Sequence, residues 1–453
     1  MNREKLAEAL KGHEADYVEI RLEERRATGI RYRGKELEDV SEPTSSGGNV
    51  RALVKGGWGF VSFNDPGDLR EKVKLAVRQA RLVGRDSSQI APVKPVQDAY
   101  EEMTAKDSSK VALAEKMRLV QQYNDAMWRV PKVESSVVVY GDRRRKVTFA
   151  SSEGTYIEQT HSDVSMRVTA MARDGGDVQQ AGLSMGSRGD FGQVEGQHRE
   201  VEEIARRAVE LISAPKAKSG EYTVVLDPIL AGVFTHEAFG HLSEADFTYE
   251  NDRMKELMVL GRQFGSRHLN IVDGAAVPGL RGSFKYDDEG VPATKTYLIK
   301  EGVLVGRLHS RETAARMGEP TTGNDRAIDY HYPPIVRMTN TYIEPQKVTF
   351  EEMISEIKEG IYAKNWYGGT TSMEMFTFSA GEAYAIRNGR VAELLRPVML
   401  TGNVFTTLQN IDAIGNDLDM NQGGGCGKGG QSPLPVSNGS PHIRIRSCLV
   451  GGA

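Results

Sequence analysis

Residues 17–22 alternate apolar and charged side chains, the mark of a strand with one buried face. The spacing predicts further strands over 28–33, 49–55 and 58–63, divided by Gly34, Gly47-Gly48 and Gly56-Gly57. Residues 2–11 predict a short amphipathic helix with Leu6, Ala7 and Leu10 on one side. Asp68 is placed to cap a helix running to about 83, with Leu69, Val73, Val77 and Ala80 inward. Residues 84–107, with Gly84, Ser87, Ser88, Pro92 and Pro95, read as a linker. The same order then recurs: a helix over 108–128, strands over 135–140, 146–150, 155–161 and 164–173, and a charged helix over 199–212. We read this recurrence as a structural duplication. Residues 215–220 form a second linker.

From residue 221 the pattern changes. An apolar strand over 221–226 leads to Asp227-Pro228, a cap and first turn suited to a helix. Strands are expected over 283–287, 294–299, 303–309 and 336–343, and a helix over 350–360. Strands over 370–378, 382–387, 391–394 and 397–401, a helix over 405–413 and a last strand over 441–448 suggest a closed or sandwiched sheet. The fold class is α+β. Units at 1–90 and 108–215 carry helices and antiparallel strands, and a glycine-rich, β-dominated domain spans 221–453.

Bulk properties exclude several classes. The chain has 453 residues, too many for one core. Its net charge of −4 gives no basic face for nucleic acid. The start is charged and lacks the apolar core of a signal peptide, and no apolar run is long enough to span a membrane. Two cysteines make no disulfide framework, so a reducing cytoplasm is expected.

The candidate chemistry sits on the helix after Asp227. His236-Glu237-Ala238-Phe239-Gly240-His241 places two imidazoles and a carboxylate within six residues. Two neutral imidazoles can ligate a divalent metal, and a nearby glutamate can take a proton from an activated water. The spacing is H-E-x-x-x-H, one longer than H-E-x-x-H. At about 100° per residue the two rings stand about 140° apart on an α-helix. They converge only if the helix is widened by a π-bulge or bent at Gly240, so an irregular helix is predicted. The bland reading is a regular helix whose histidines point apart.

A third ligand must come from elsewhere. Cys426 lies in Gly423-Gly424-Gly425-Cys426-Gly427-Lys428-Gly429, where glycines permit close backbone approach and Lys428 would favour the thiolate. His309 and His331 compete for the role, and a flexible loop with an incidental thiol is the alternative. The Gly-Lys pair is not a phosphate loop: Gln422 stands at the first glycine position and Gly429, not Ser or Thr, follows Lys428.

These motifs, with Tyr286-Asp287-Asp288-Glu289-Gly290, Leu308-His309-Ser310-Arg311-Glu312-Thr313-Ala314 and Arg337-Met338-Thr339-Asn340-Thr341, resemble the TldD/PmbA peptidase family on its TldD, catalytic side. The resemblance is most specific from residue 221 onward. It implies a Zn2+-dependent peptidase with His236, His241 and Cys426 as ligands and Glu237 as general base. It further implies unfolded or extended peptides as substrate, and a homodimer or a heterodimer with a TldE/PmbA-like subunit. Tyr330, His331 and Gly425 are the substrate-contact candidates, and the first two, with the glycine-loop N–H groups, are candidate oxyanion donors. Thr370-Thr371-Ser372 is a candidate strand edge for main-chain recognition. Two rival functions remain at this stage: a non-catalytic regulatory subunit, in line with an older family label as a modulator of DNA gyrase, and a metal-dependent hydrolase of another amide.

Overall fold

The two units expected at 1–90 and 108–215 share one sheet. In the computed structural model, which describes residues 3–84, 89–101 and 103–452, eight strands join in one layer. Its path runs Gly57–Phe63, Thr44–Val54, Tyr17–Arg33, Val133–Ser151, Tyr156–Asp174 and Gln97–Glu101. The helix–meander–helix order recurs on either side of the central antiparallel pair, Tyr17–Arg33 with Val133–Ser151. Helices Leu69–Val83, Leu113–Trp128 and His198–Ser213 bury their apolar stripes on the sheet, and Asp68 caps the first through Glu71 N–H.

Several expectations need correction. The breaks expected at 23–27 and 141–145 do not occur, because each is a run inside one long strand. Their charged side chains interrupt the apolar pattern, but they are paired: Arg25 and Arg145 reach Asp329 and Asp288 of the C-terminal unit, and Glu23, Asp142, Arg143 and Arg144 find partners within the N-terminal half. Strands Glu36–Ser41, Gln97–Glu101 and Asp177–Ser187 fall where no strand was expected. Among the described residues the last pairs with Tyr156–Asp174 alone, and no strand lies on its other edge. Ser87 and Ser88 of the expected linker lie outside the described residues.

The C-terminal unit has two large sheets with the motif helix between them, and two two-stranded ones. Strands Glu359–Ser372, Gly220–Leu226, Ile443–Gly452, Val398–Asn403 and Met375–Arg387 are paired in turn, and the last pairs back on the first. These five strands close into a ring, and Arg390–Leu395 and Ile411–Ile414 each add to it through one neighbour. Residues 370–378 are therefore not one strand but the turn of a hairpin, with Thr370 opposite Thr377. A second sheet orders Val303–Leu304, Lys295–Lys300, Ile271–Gly274, Asn340–Ile343, Ser437–Ser440 and Asp419–Asn421. Residues 283–287 form no strand; Tyr286 makes one bridge to Pro292. Helix Arg311–Met317, with a Ser310 capping box, lies where no helix was expected. Among the described residues, no helix is long and apolar enough to cross a membrane.

Candidate metal centre

Local sequence explains the motif's shape. Asp227 accepts from Leu230 N–H at 2.8 Å and Pro228 opens helix Pro228–Phe234. Phe234 packs edge-on against Phe376 and Phe378. The chain then widens into a π turn, Thr235–Gly240, in which His241 N–H bonds His236 C=O. An i→i+5 bond stacks residues five apart on one face, which is what the motif's spacing needs. The two imidazole centroids stand 5.3 Å apart. Gly240 is pressed against Met338; a Cβ there would lie 2.1 Å from Met338 Sδ.

Cys426 arrives on a hairpin of Gly425–Lys428 with Gln431–Pro435. Gly429 and Gly430 form its two-residue turn, with φ of 57° and 75°, values that suit glycine. Buried Arg337 donates to Cys426 C=O at 2.8 Å and to Gln431 C=O at 3.2 Å, which fixes both strands of the hairpin. One ligand atom from each of His236, His241 and Cys426 lies within 4.8 Å of the others. Cys426 Sγ is 3.5 Å from His241 Nε2, and Glu237 Oε2 is 3.9 Å from the same nitrogen.

Electrostatics favour the thiolate at Cys426, beside imidazoles whose protonated form that thiolate and Glu244 stabilise. Burial alone would raise the Cys426 thiol, but the His236 and His241 rings bring it down to about 5. Burial disfavours charge on His241, yet Glu244 and Cys426 lift it well above the usual imidazole range. Burial opposes charge on His236 too, and Cys426 offsets it. His236 Nδ1 is buried with no hydrogen-bond partner among the described residues. A buried orphan nitrogen beside a thiolate and a second imidazole is a donor set suited to zinc.

Sequence reasoning missed the residues behind this set. Glu244 Oε2 lies 3.0 Å from His241 Nδ1 and leaves Nε2 for the cluster. Lys428 does not favour the thiolate directly. Its ammonium bonds Asp246 at 2.7 Å, Val336 C=O at 2.8 Å and Glu244 at 3.1 Å. It thereby ties the hairpin to the turn after the motif.

The cluster borders a cavity of about 430 Å³ lined by His236, Glu237, Gly423–Gly425, Asn365–Tyr367 and Gln180–Ser184. The Gln180–Ser184 wall belongs to the unpaired edge of Asp177–Ser187. Gly423 meets that strand backbone to backbone: a Cβ there would lie 2.4 Å from Ser184 C. Gly425 lines the cavity, whereas Tyr330 and His331 do not. Tyr330 is buried at the N-terminal sheet, its hydroxyl on Asn64 Oδ1 at 2.7 Å. His331 turns to Asp329 at 3.0 Å. His309 is held by Thr313 and Glu319 and stays outside the cluster. Thr370–Ser372 is likewise absent from the cavity wall.

Comparison with known proteins decides the family. The PmbA/TldA metallopeptidase C-terminal domain matches residues 219–452, domain 1 matches 18–81 and the central domain matches 106–214. The chain belongs to the PmbA/TldA metallopeptidase family. A metalloprotease of Synechocystis is 50% identical over 97% of this chain and 95% of its own. A Saccharolobus solfataricus protein named zinc metalloprotease TldD homolog is 34% identical over 71% of this chain and 72% of its own. The crystal structure of TldE from Thermococcus kodakarensis shares the fold, with a TM-score of 0.74 at 20% identity over 97% of both chains.

Proposed function

We propose that this member of the family is a zinc-dependent peptidase acting on unfolded or extended polypeptides. The observation that carries the reading is the convergence of His236, His241 and Cys426 beside Glu237, at a cavity walled by a strand edge on which, among the described residues, no further strand pairs. Two imidazoles and one thiolate form a three-ligand set that leaves a fourth position open, the pattern of catalytic rather than structural zinc. The chemistry a zinc ion supplies in such a set is polarisation of a carbonyl and acidification of a water. Glu237 takes the proton of the attacking water and returns one to the leaving amine. Glu244 holds His241 in one tautomer throughout. The Gln180–Ser184 edge offers main-chain hydrogen bonds that do not depend on side-chain identity, so an extended chain docks with little sequence preference. Backbone N–H groups of Gly424 and Gly425 are the donors assigned to the developing oxyanion. Both cysteines are free thiols, which suits a reducing compartment such as the cytoplasm.

The test pairs metal analysis with product mass spectrometry on an unfolded protein. Wild type should hold one zinc and release peptides. Cys426→Ser should lose zinc, and Glu237→Ala should keep zinc while cleavage falls by about 10²–10⁴-fold. Zinc content indifferent to Cys426→Ser, or full cleavage by Glu237→Ala, would refute the assignment.

The partner, a second copy or a TldE-like subunit, is assigned to the outward face of the closed sheet. There Met375, Met399 and Leu449 are exposed on neighbouring strands. Light scattering should show an assembly larger than the 49.9 kDa chain, reduced to the single chain by Met375→Glu with Met399→Glu. An unchanged mass in that variant would place the contact elsewhere.

A further inference from the structure

Asparagine suits turns better than the interior of a sheet, and its amide is costly to bury without a partner. Asn438 nonetheless sits in strand Ser437–Ser440, which pairs on both sides, with Asn340–Ile343 and with Asp419–Asn421. It is only 6% exposed. Among the described residues its side chain makes no hydrogen bond, and Oδ1 is buried. Buried asparagines elsewhere in the chain behave otherwise. Asn49, Asn124, Asn324 and Asn340 donate through Nδ2 to the carbonyls of Tyr330, Gly34, Arg337 and Gly274, at 2.8–3.0 Å. Those amides tie one segment of the fold to another. The Asn438 amide ties nothing, and a buried polar group left so asks for a reason.

Its place supplies one. Asn438 lines the cavity at the metal centre, together with His236, Glu237 and Gly424. A Cβ on Gly424 would lie 3.8 Å from Asn438 Nδ2, so the amide stands against the glycine loop just before Cys426. The motif helix presses on the same residue from another side: a Cβ on Gly232 would lie 3.1 Å from the Asn438 carbonyl carbon. Two strands and a helix thus fix the backbone of Asn438, while its side chain is left uncommitted at the cavity wall.

We propose that Asn438 is a substrate-contact residue whose carboxamide pairs with the main chain of an extended polypeptide. Oδ1 accepts from the N–H of one residue, and Nδ2 donates to the C=O of the same residue. In an extended chain those two groups point to one side, and an antiparallel neighbour engages them together. A carboxamide carries the same donor and acceptor side by side. This role rests on the peptidase reading and deepens it. The client is held from two directions, by the Gln180–Ser184 edge and by Asn438 beside the metal ligands. Both contacts read backbone, so neither selects a side chain. Asn438 does select against a main chain without an N–H: proline, or an N-methylated residue, is disfavoured at the position it holds.

The test uses the full chain carrying Glu237→Ala, which leaves a bound peptide intact, and reads the affinity of a fluorescent, unstructured peptide by anisotropy. Adding Asn438→Leu should weaken binding about 3–10-fold, the loss of a hydrogen-bonded amide. Without peptide, the melting temperature should hold or rise, because an unpartnered amide gives way to an apolar side chain of similar size. Zinc content should stay as it was. With Glu237 restored, Asn438→Leu should raise KM more than it lowers kcat, the sign of binding lost equally in ground and transition states. If the leucine variant does not fold, Asn438→Ala repeats each measurement. Unchanged affinity in the folded variant, loss of zinc, a lower melting temperature with affinity kept, or a loss confined to kcat would overturn this role for Asn438. Failure of the chain bearing Glu237 to cleave any peptide would instead sink the peptidase reading itself, so the two failures are told apart.

Discussion

Cys426 and Cys448 share a chain and a buried setting, yet their chemistry diverges. Burial pushes the Cys448 thiol up to about 12, while two imidazoles bring Cys426 down to about 5. In metal-free protein at neutral pH, thiolate ultraviolet absorbance should therefore come from Cys426 alone. A titration of wild type minus Cys426→Ser should show a midpoint near 5. A midpoint above 8 would mean the imidazoles do not face the sulfur. Glu244 acts one bond further out. Glu244→Gln should weaken zinc binding by about 10–100-fold, the range for removing a partner that orients a ligating histidine; chelator competition measures it. The meeting of His236, His241 and Cys426 was legible in the sequence because histidine and cysteine are rare in this chain and the motifs compact. Glu244 was not, since a carboxylate three residues past a histidine carries no signature. Tyr330 and His331 attracted attention as a polar aromatic pair; Tyr330 docks on the N-terminal sheet through Asn49 and Asn64, and His331 turns to Asp329.

At the scale of elements, the π turn is the feature the spacing demanded and the structure contains. It is held from outside by close packing, and Gly240 is where that packing has no slack. Gly240→Ala drives a methyl into Met338 and should cost about 1–3 kcal/mol. Denaturant unfolding measures the loss, and adding Met338→Ala should recover part of it, since contacting sites couple. Recovery of nothing would show that the strain lies in the turn's backbone instead. Long strands were misjudged for the opposite reason. Residues 23–27 and 141–145 look like breaks because most of them are charged, and a local pattern cannot show that Glu23 meets Arg145 across the sheet while Arg21 and Arg145 meet Asp288 of another unit. Strand Asp177–Ser187, polar and glycine-bearing, gave no alternation to read.

The whole molecule is pinned along the seam between the N-terminal sheet and the C-terminal unit. Burial would raise the Asp288 carboxyl, but Arg21 and Arg145 hold it at about 2 against an ordinary 3.8. A depressed carboxylate stabilises the fold above its unfolded value and ceases to do so as pH falls through the folded one. Asp288 should thus contribute about 2 kcal/mol above pH 4, lost between about pH 4 and pH 2. Stability measured against pH should lose that segment of its slope in Asp288→Asn; an unchanged slope would remove Asp288 from the account. The large cavity takes lining residues from both the N-terminal sheet and the unit that bears Glu237. On the proposed peptidase reading, an extended client would lie between them. At about 430 Å³ the chamber holds a few residues at a time, and the rate at which a protein is consumed would follow how often it frays, not which side chains it displays.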